Sequence, residues 1–225
     1  MKNSLHNRVF TSIANNWISE LTDKLGETAL DSWLTDSLLK DIPLFGTAIT
    51  IWKTGNDIRA YHFTKKVIRF LMEVENASFE ERQVFIKKCQ SDDEREELGE
   101  SILFILDSAK DVDSATYLGR NFTLLVKNDI SEHTFYMNNH IIANLTPHIV
   151  QQIGFCYRFE GITSFHSGSM HYLNSLGLLD MSMKPYRGSD GEVEFDWSPK
   201  INQSGRHFYD TILNPKSIVQ PQALV

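Results

Sequence analysis

A chain of 225 residues that is 41% hydrophobic and 23% charged can bury a substantial core, as one large domain or two small ones. With only 12 Gly and 6 Pro, it lacks the turn residues that an all-β architecture needs. Its net charge of −7 argues against general nucleic-acid binding, because phosphate affinity comes from Lys and Arg.

The opening stretch, Met1 to Trp17, has no apolar run suited to a secretion signal, so a cytoplasmic protein is expected. From Val9 to Leu25, Val9, Phe10, Ile13, Trp17, Ile18, Leu21 and Leu25 repeat at helical spacing and predict one buried face. Gly26 fits a helix stop before a second amphipathic stretch through Leu30, Trp33, Leu34, Leu38 and Leu39.

The most apolar segment runs from Ile42 to Trp52, with Pro43 placed to open a helix that continues through Ile58, Phe63, Val67, Phe70 and Leu71. Lys53, Arg59, Lys65, Lys66 and Arg69 predict a basic outer face for it. Ser78-Phe79-Glu80-Glu81 and Ser91-Asp92-Asp93-Glu94 are capping boxes opening the next two helices. Further helices are expected from Asp111 to Val126, from Ile130 through Ile142, and from Ile149 to Phe159 after Pro147.

After Gly161 the pattern changes. Phe165 to Leu176 predicts a helix closed by Gly177. Met181 and Met183, then Val193, Phe195 and Trp197, alternate with polar residues around a turn-forming stretch from Pro185 to Gly191. Ile201 to Leu213 returns to helix. The predicted fold is therefore mainly α: a multi-helix bundle over residues 1–146, a winged-helix-like unit with one β-hairpin over 147–213, and an extended tail over 214–225. A plain hairpin packed on helices is the competing arrangement.

Sites of chemistry are sparse. His133 and His140 are seven apart, and His166 and His171 flank Ser167-Gly168-Ser169; neither pair has the i, i+4 spacing of a helical metal site. Cys89 and Cys156 match no ligand spacing and are expected to be reduced thiols. The acids from Asp92 to Glu100 read as a solvated helix start rather than a calcium loop. There is no nucleophile elbow, Walker-type loop or dinucleotide fingerprint, so no enzyme, metal or cofactor is expected.

A winged-helix order raises DNA binding, for which His171, Asn174, Lys184 and Arg187 are the candidate contacts. Yet the would-be recognition helix holds no Arg or Lys, and from Pro147 onward six Lys and Arg face seven Asp and Glu. Protein contact is the better fit. Phe45, Ile49 and Trp52, with Lys53, Arg59, Lys65, Lys66 and Arg69, form the candidate partner surface. Ile42 to Trp52 is too short to span a bilayer, so a membrane role would be interfacial. The competing arrangement is a buried helix whose basic face pairs with the acidic residues between Glu73 and Glu100.

Asp41-Ile42-Pro43-Leu44-Phe45-Gly46-Thr47-Ala48, followed by Ile58-Arg59, Phe63, Lys65-Lys66 and Phe70-Leu71, resembles a diffuse group of bacterial helical proteins that includes the Abi-alpha proteins of abortive-infection loci. Glu80-Glu81-Arg82, Phe85-Ile86, Gly99-Glu100, Leu118-Gly119-Arg120 and Leu173 to Leu179 resemble the same group, so the likeness runs from Leu38 to Leu179. Ala60 departs from it, where an Asp often follows the Ile-Arg. The resemblance implies a bacterial cytoplasmic protein of a defence context, with no defined catalytic residues. The expectation is thus a non-enzymatic antiviral component acting through protein contacts or self-assembly. Its alternatives are a winged-helix DNA-binding regulator and a membrane-perturbing effector using residues 42–52.

Overall fold

The computed structural model describes residues 5–17, 19–20, 42–43, 58–89, 91–159, 167–189 and 192–215. Among them the chain is mainly helical, with one two-stranded antiparallel sheet. It divides into two units, 1–143 and 144–225. The second amphipathic stretch, most of the apolar segment and the tail beyond Pro215 lie outside the described residues.

The first unit begins with α1 (Leu5–Ile13), which buries Val9, Phe10 and Ile13. It breaks short of the expected Leu25, and the backbone is helical again at Trp17, Ser19 and Glu20. The backbone turns at Ala14 to Asn16, where the Asn15 amide donates back to the Thr11 carbonyl at 2.8 Å. Asn side chains offer the backbone such local alternatives to helix.

The core is built on α2 (Ile58–Val74) lying along α5 (Val112–Val126). Val67, Phe70, Leu71 and Val74 from α2 are buried, as are Ala115, Leu118 and Phe122 from α5. Phe122 is the hub of an aromatic cluster, with ring centroids 5.8 Å from Phe70, 5.4 Å from Phe85 and 6.1 Å from Phe135. Tilted and edge-on pairs of this kind add to the energy of burial. The Thr123 hydroxyl, 2.8 Å from the Glu73 carbonyl, ties the same two helices.

Both sequence capping boxes are present. Ser78 opens α3 (Phe79–Lys88) and Ser91 opens α4 (Asp92–Ser108), each hydroxyl accepting from the N–H of the Glu three residues on. Leu98, Ile102, Ile105 and Leu106 put the i, i+4, i+7, i+8 stripe of α4 inside. Asn128, at φ 62°, is a left-handed residue that closes α5, with the Asp129 N–H reaching the Leu124 carbonyl at 2.9 Å. In α6 (Glu132–Asn144), Asn138 donates to the buried Asn121 at 2.8 Å, and Asn121 donates to Asn139 at 2.9 Å.

In the second unit, α7 (Pro147–Phe159) starts on Pro147, and α8 (Ser167–Ser175) ends at Gly177, φ 72°. The Leu178 N–H bonds the Leu173 carbonyl at 2.9 Å, closing the predicted glycine cap. β1 (Leu179–Arg187) pairs with β2 (Val193–Ile201), Leu179 opposite Ile201 and Arg187 opposite Val193. The strand thus runs through Pro185, which the sequence placed in the turn.

Gly188 donates to Glu192 at 2.9 Å, so even-numbered positions form the hydrogen-bonded pairs of the ladder. Pro185 and Pro199 are odd, and their missing N–H groups fall on the outer edges of the ribbon, where no ladder bond is lost.

The final helix also differs from expectation. It is α9 (Gln203–Phe208), capped by the Asn202 side chain, followed by a wide π-helical turn over Tyr209–Leu213. Tyr157 and Tyr209 stack with centroids 5.5 Å apart, and the Tyr157 hydroxyl donates to the Leu178 carbonyl. Gly205 lies against both of those oxygens, which leave no room for a Cβ.

Candidate functional site

Four cations in the described residues are committed to helix ends. Arg82, only 2% exposed, donates to the Ile13 carbonyl at 2.9 Å, the Asn15 carbonyl at 2.7 Å and the Asn16 side chain, around the end of α1. Lys66, 8% exposed, donates to the carbonyls of Asp107 and Ala109 at 3.1 and 2.8 Å, closing α4. Arg95 reaches the carbonyls of Cys89 and Ile86 at the end of α3. Arg206 bonds the Tyr157 carbonyl of α7 at 2.8 Å and covers the Tyr157 ring. Cations suit these sites because the unsatisfied carbonyls of a helix end carry partial negative charge.

Burial pushes Lys66 below the usual lysine range, opposed by the charges of Asp107 and Asp111. Arg82 is lowered for the same first reason, opposed by Glu75 and Glu80. The basic face of α2 does meet the acidic helix, but through a lysine on that helix's backbone carbonyls. Glu73 of α2 pairs with Arg120 of α5 at 3.3 Å.

Around Lys66 lies a cavity of about 470 Å³. From α2 it is lined by Arg59, His62, Phe63 and Lys66, and from the α4–α5 junction by Asp107, Lys110 and Asp111. The Asp111 carboxylate accepts from the Ser114 N–H and hydroxyl at 2.8 Å each, as the N-cap of α5. Arg59, His62 and Lys110 reach the surface, whereas Lys66 forms the floor.

Of the candidate partner surface, Phe45, Ile49, Trp52 and Lys53 lie outside the described residues. Arg59 and Arg69 are exposed, and Lys65 sits 4.7 Å from the Tyr61 ring centroid. Lys66 does not belong to that surface: it is buried, with its ammonium on the carbonyls at the α4 end. Of the candidate nucleic-acid contacts, His171 is exposed, while the Asn174 amide is turned onto the Leu179 carbonyl at 2.7 Å. Lys184 and Arg187 are exposed on β1, with Lys184 opposite Asp196 in the ladder.

The sequence reading missed two groups. One is the junction residues Asp107, Lys110 and Asp111, which the fold brings to α2. The other is the apolar surface of the hairpin, where Met183, Tyr186 and Val193 are 53%, 48% and 60% exposed. An apolar residue on a two-stranded ribbon has few neighbours to cover it, which was the available signal.

Both cysteines are free, and burial pushes the thiols of Cys89 and Cys156 up, away from the reactive thiolate form. Burial, reinforced by Glu97 and Glu132, pushes Tyr136 up to about 12. Among the described residues, no three His, Cys, Asp or Glu side chains gather as a metal site, and no helix is long and apolar enough to cross a membrane. Compared with known protein families, with characterised proteins and with solved structures, the chain matches none.

Proposed function

We infer that the chain is a non-enzymatic component of a bacterial antiviral system of the abortive-infection type, acting through protein contacts from a winged-helix-like second unit. The observation that carries this reading is one face of the hairpin, which presents Met183 and Val193 to solvent, with Tyr186 exposed on the other face, on a ribbon whose edges hold Pro185 and Pro199. Exposed apolar side chains at one place mark an interaction surface. The order α8, Gly177, β1, β2, α9 supports the winged-helix-like reading. Placing Lys184 opposite Asp196, and Tyr186 opposite Glu194, favours a protein over the phosphate backbone as the partner of that wing. Arg82, Lys66, Arg95 and Arg206 further support a scaffold, since each is held on backbone carbonyls.

The test is phage challenge of a bacterial host expressing the chain together with the genes that flank it. Met183→Asp with Val193→Asp should abolish protection at unchanged protein level, and Lys184→Glu should leave it intact. Protection that survives the double apolar variant, or salt-sensitive DNA binding lost on Lys184→Glu, overturns the reading.

A further inference from the structure

The geometry points to the cavity around Lys66 as a binding site for a small phosphate-bearing organic molecule of nucleotide size. Its volume, about 470 Å³, lies within the roughly 300–1,000 Å³ range of small-molecule sites.

Its charge is arranged to receive an anion. Lys66 is held in the floor by two carbonyls, so two of its three N–H donors are fixed; the third has no acceptor among the described residues. A buried ammonium held by backbone is pre-positioned, and ordering it costs a ligand little. Arg59 and Lys110 also line it, one from α2 and one from the α4–α5 junction, together with His62 of α2.

Two carboxylates share the lining, and they are not equivalent. Asp111 is occupied as the N-cap of α5 by two bonds from Ser114, so its charge is already partly answered. The side chain of Asp107 is exposed, and only its carbonyl is fixed to Lys66. The lining holds three basic side chains, Arg59, Lys66 and Lys110, against two acids, a balance that suits a phosphate.

The walls choose the rest of the ligand. Phe63 and Val112 supply apolar surface in the same cavity, where a flat, weakly polar body can be desolvated while its phosphate meets the cations. A free inorganic anion would leave that wall unused, so an organic phosphate should bind more tightly.

Calorimetric titration of the full chain tests this, with adenosine monophosphate and inorganic phosphate as probes and uncharged adenosine as control. Adenosine monophosphate should bind saturably and more tightly than inorganic phosphate, and adenosine should not bind. Arg59→Ala and Lys110→Glu should each weaken it by about tenfold or more, while Lys184→Glu on the hairpin should not. Lys66→Met removes a helix cap, so the exposed pair carries the test, with unchanged thermal melting as proof of folding. No saturable binding at millimolar ligand overturns the proposal. So does binding indifferent to Arg59 and Lys110, or no preference over inorganic phosphate.

Discussion

Arg82 is the residue on which the first unit depends most visibly. A guanidinium this buried is tolerated only where most of its donors are answered: Nη1 and Nη2 donate to backbone and to Asn16 just past α1, while the Nε–H has no partner among the described residues. The arrangement is mutual: without Arg82, the Ile13 and Asn15 carbonyls lose their donors and stay out of water. Replacement by Leu keeps the volume roughly but orphans those oxygens, and should cost on the order of 3 kcal/mol. Lys should rescue little, because a single ammonium cannot span acceptors that the planar fork reaches together. Urea denaturation of Arg82→Leu and Arg82→Lys reads this directly. A midpoint close to the parent for either variant would show that the carbonyls find other donors.

At the scale of elements, the α2–α5 crossing is set by Gly119. A Cβ there would stand 2.7 Å from the Phe70 carbonyl oxygen and 2.7 Å from the Glu73 Cβ. The first obstacle is helix backbone, which cannot swing aside. In an isolated helix Gly→Ala would stabilise by about 1 kcal/mol, whereas overpacking costs about 1–3 kcal/mol, so the sign of the measured change decides between them. Gly119→Ala should lower the thermal midpoint; a rise would mean that the helices sit further apart. Capping boxes at Ser78 and Ser91 and the glycine cap at Gly177 were legible because each is a local rule with its partners within a few residues. Lys66 was legible too, and was misread: Phe63, Lys66, Val67 and Phe70 fall on one i, i+3, i+4, i+7 stripe, which places the lysine inside. A count of charges along α2 hid what its periodicity contained. The end of α1 was not legible, because it depends on Arg82 and Gln83, nearly seventy residues away in sequence. The cavity was hidden for the same reason: only the fold brings Arg59 and Lys66 to Asp107, Lys110 and Asp111.

For the molecule as a whole, the question is what keeps an apolar, two-stranded ribbon from assembling with copies of itself. A ribbon has two open edges, each a template for another strand. The ladder parity places Pro185 on one edge and Pro199 on the other, so each edge lacks a donor where a new strand would need it. Residues of opposite charge occupy paired register positions, Asp180 with Lys200 and Lys184 with Asp196, and a one-residue slip would unpair them. The net charge of −7 adds weak repulsion between copies, which salt screens. Contact through the ribbon's exposed side chains and contact through its edges are therefore separable. Changing Pro185 and Pro199 together to Thr restores both donors without touching Met183, Tyr186 or Val193. Light scattering behind size-exclusion chromatography should then show concentration-dependent self-association, stronger at high salt, while the circular dichroism of the dilute protein stays that of the parent. If the double variant elutes as the parent does across concentration and salt, the prolines are not what guards the edges. The cross-strand charges or the shape of the hairpin would then have to be doing so.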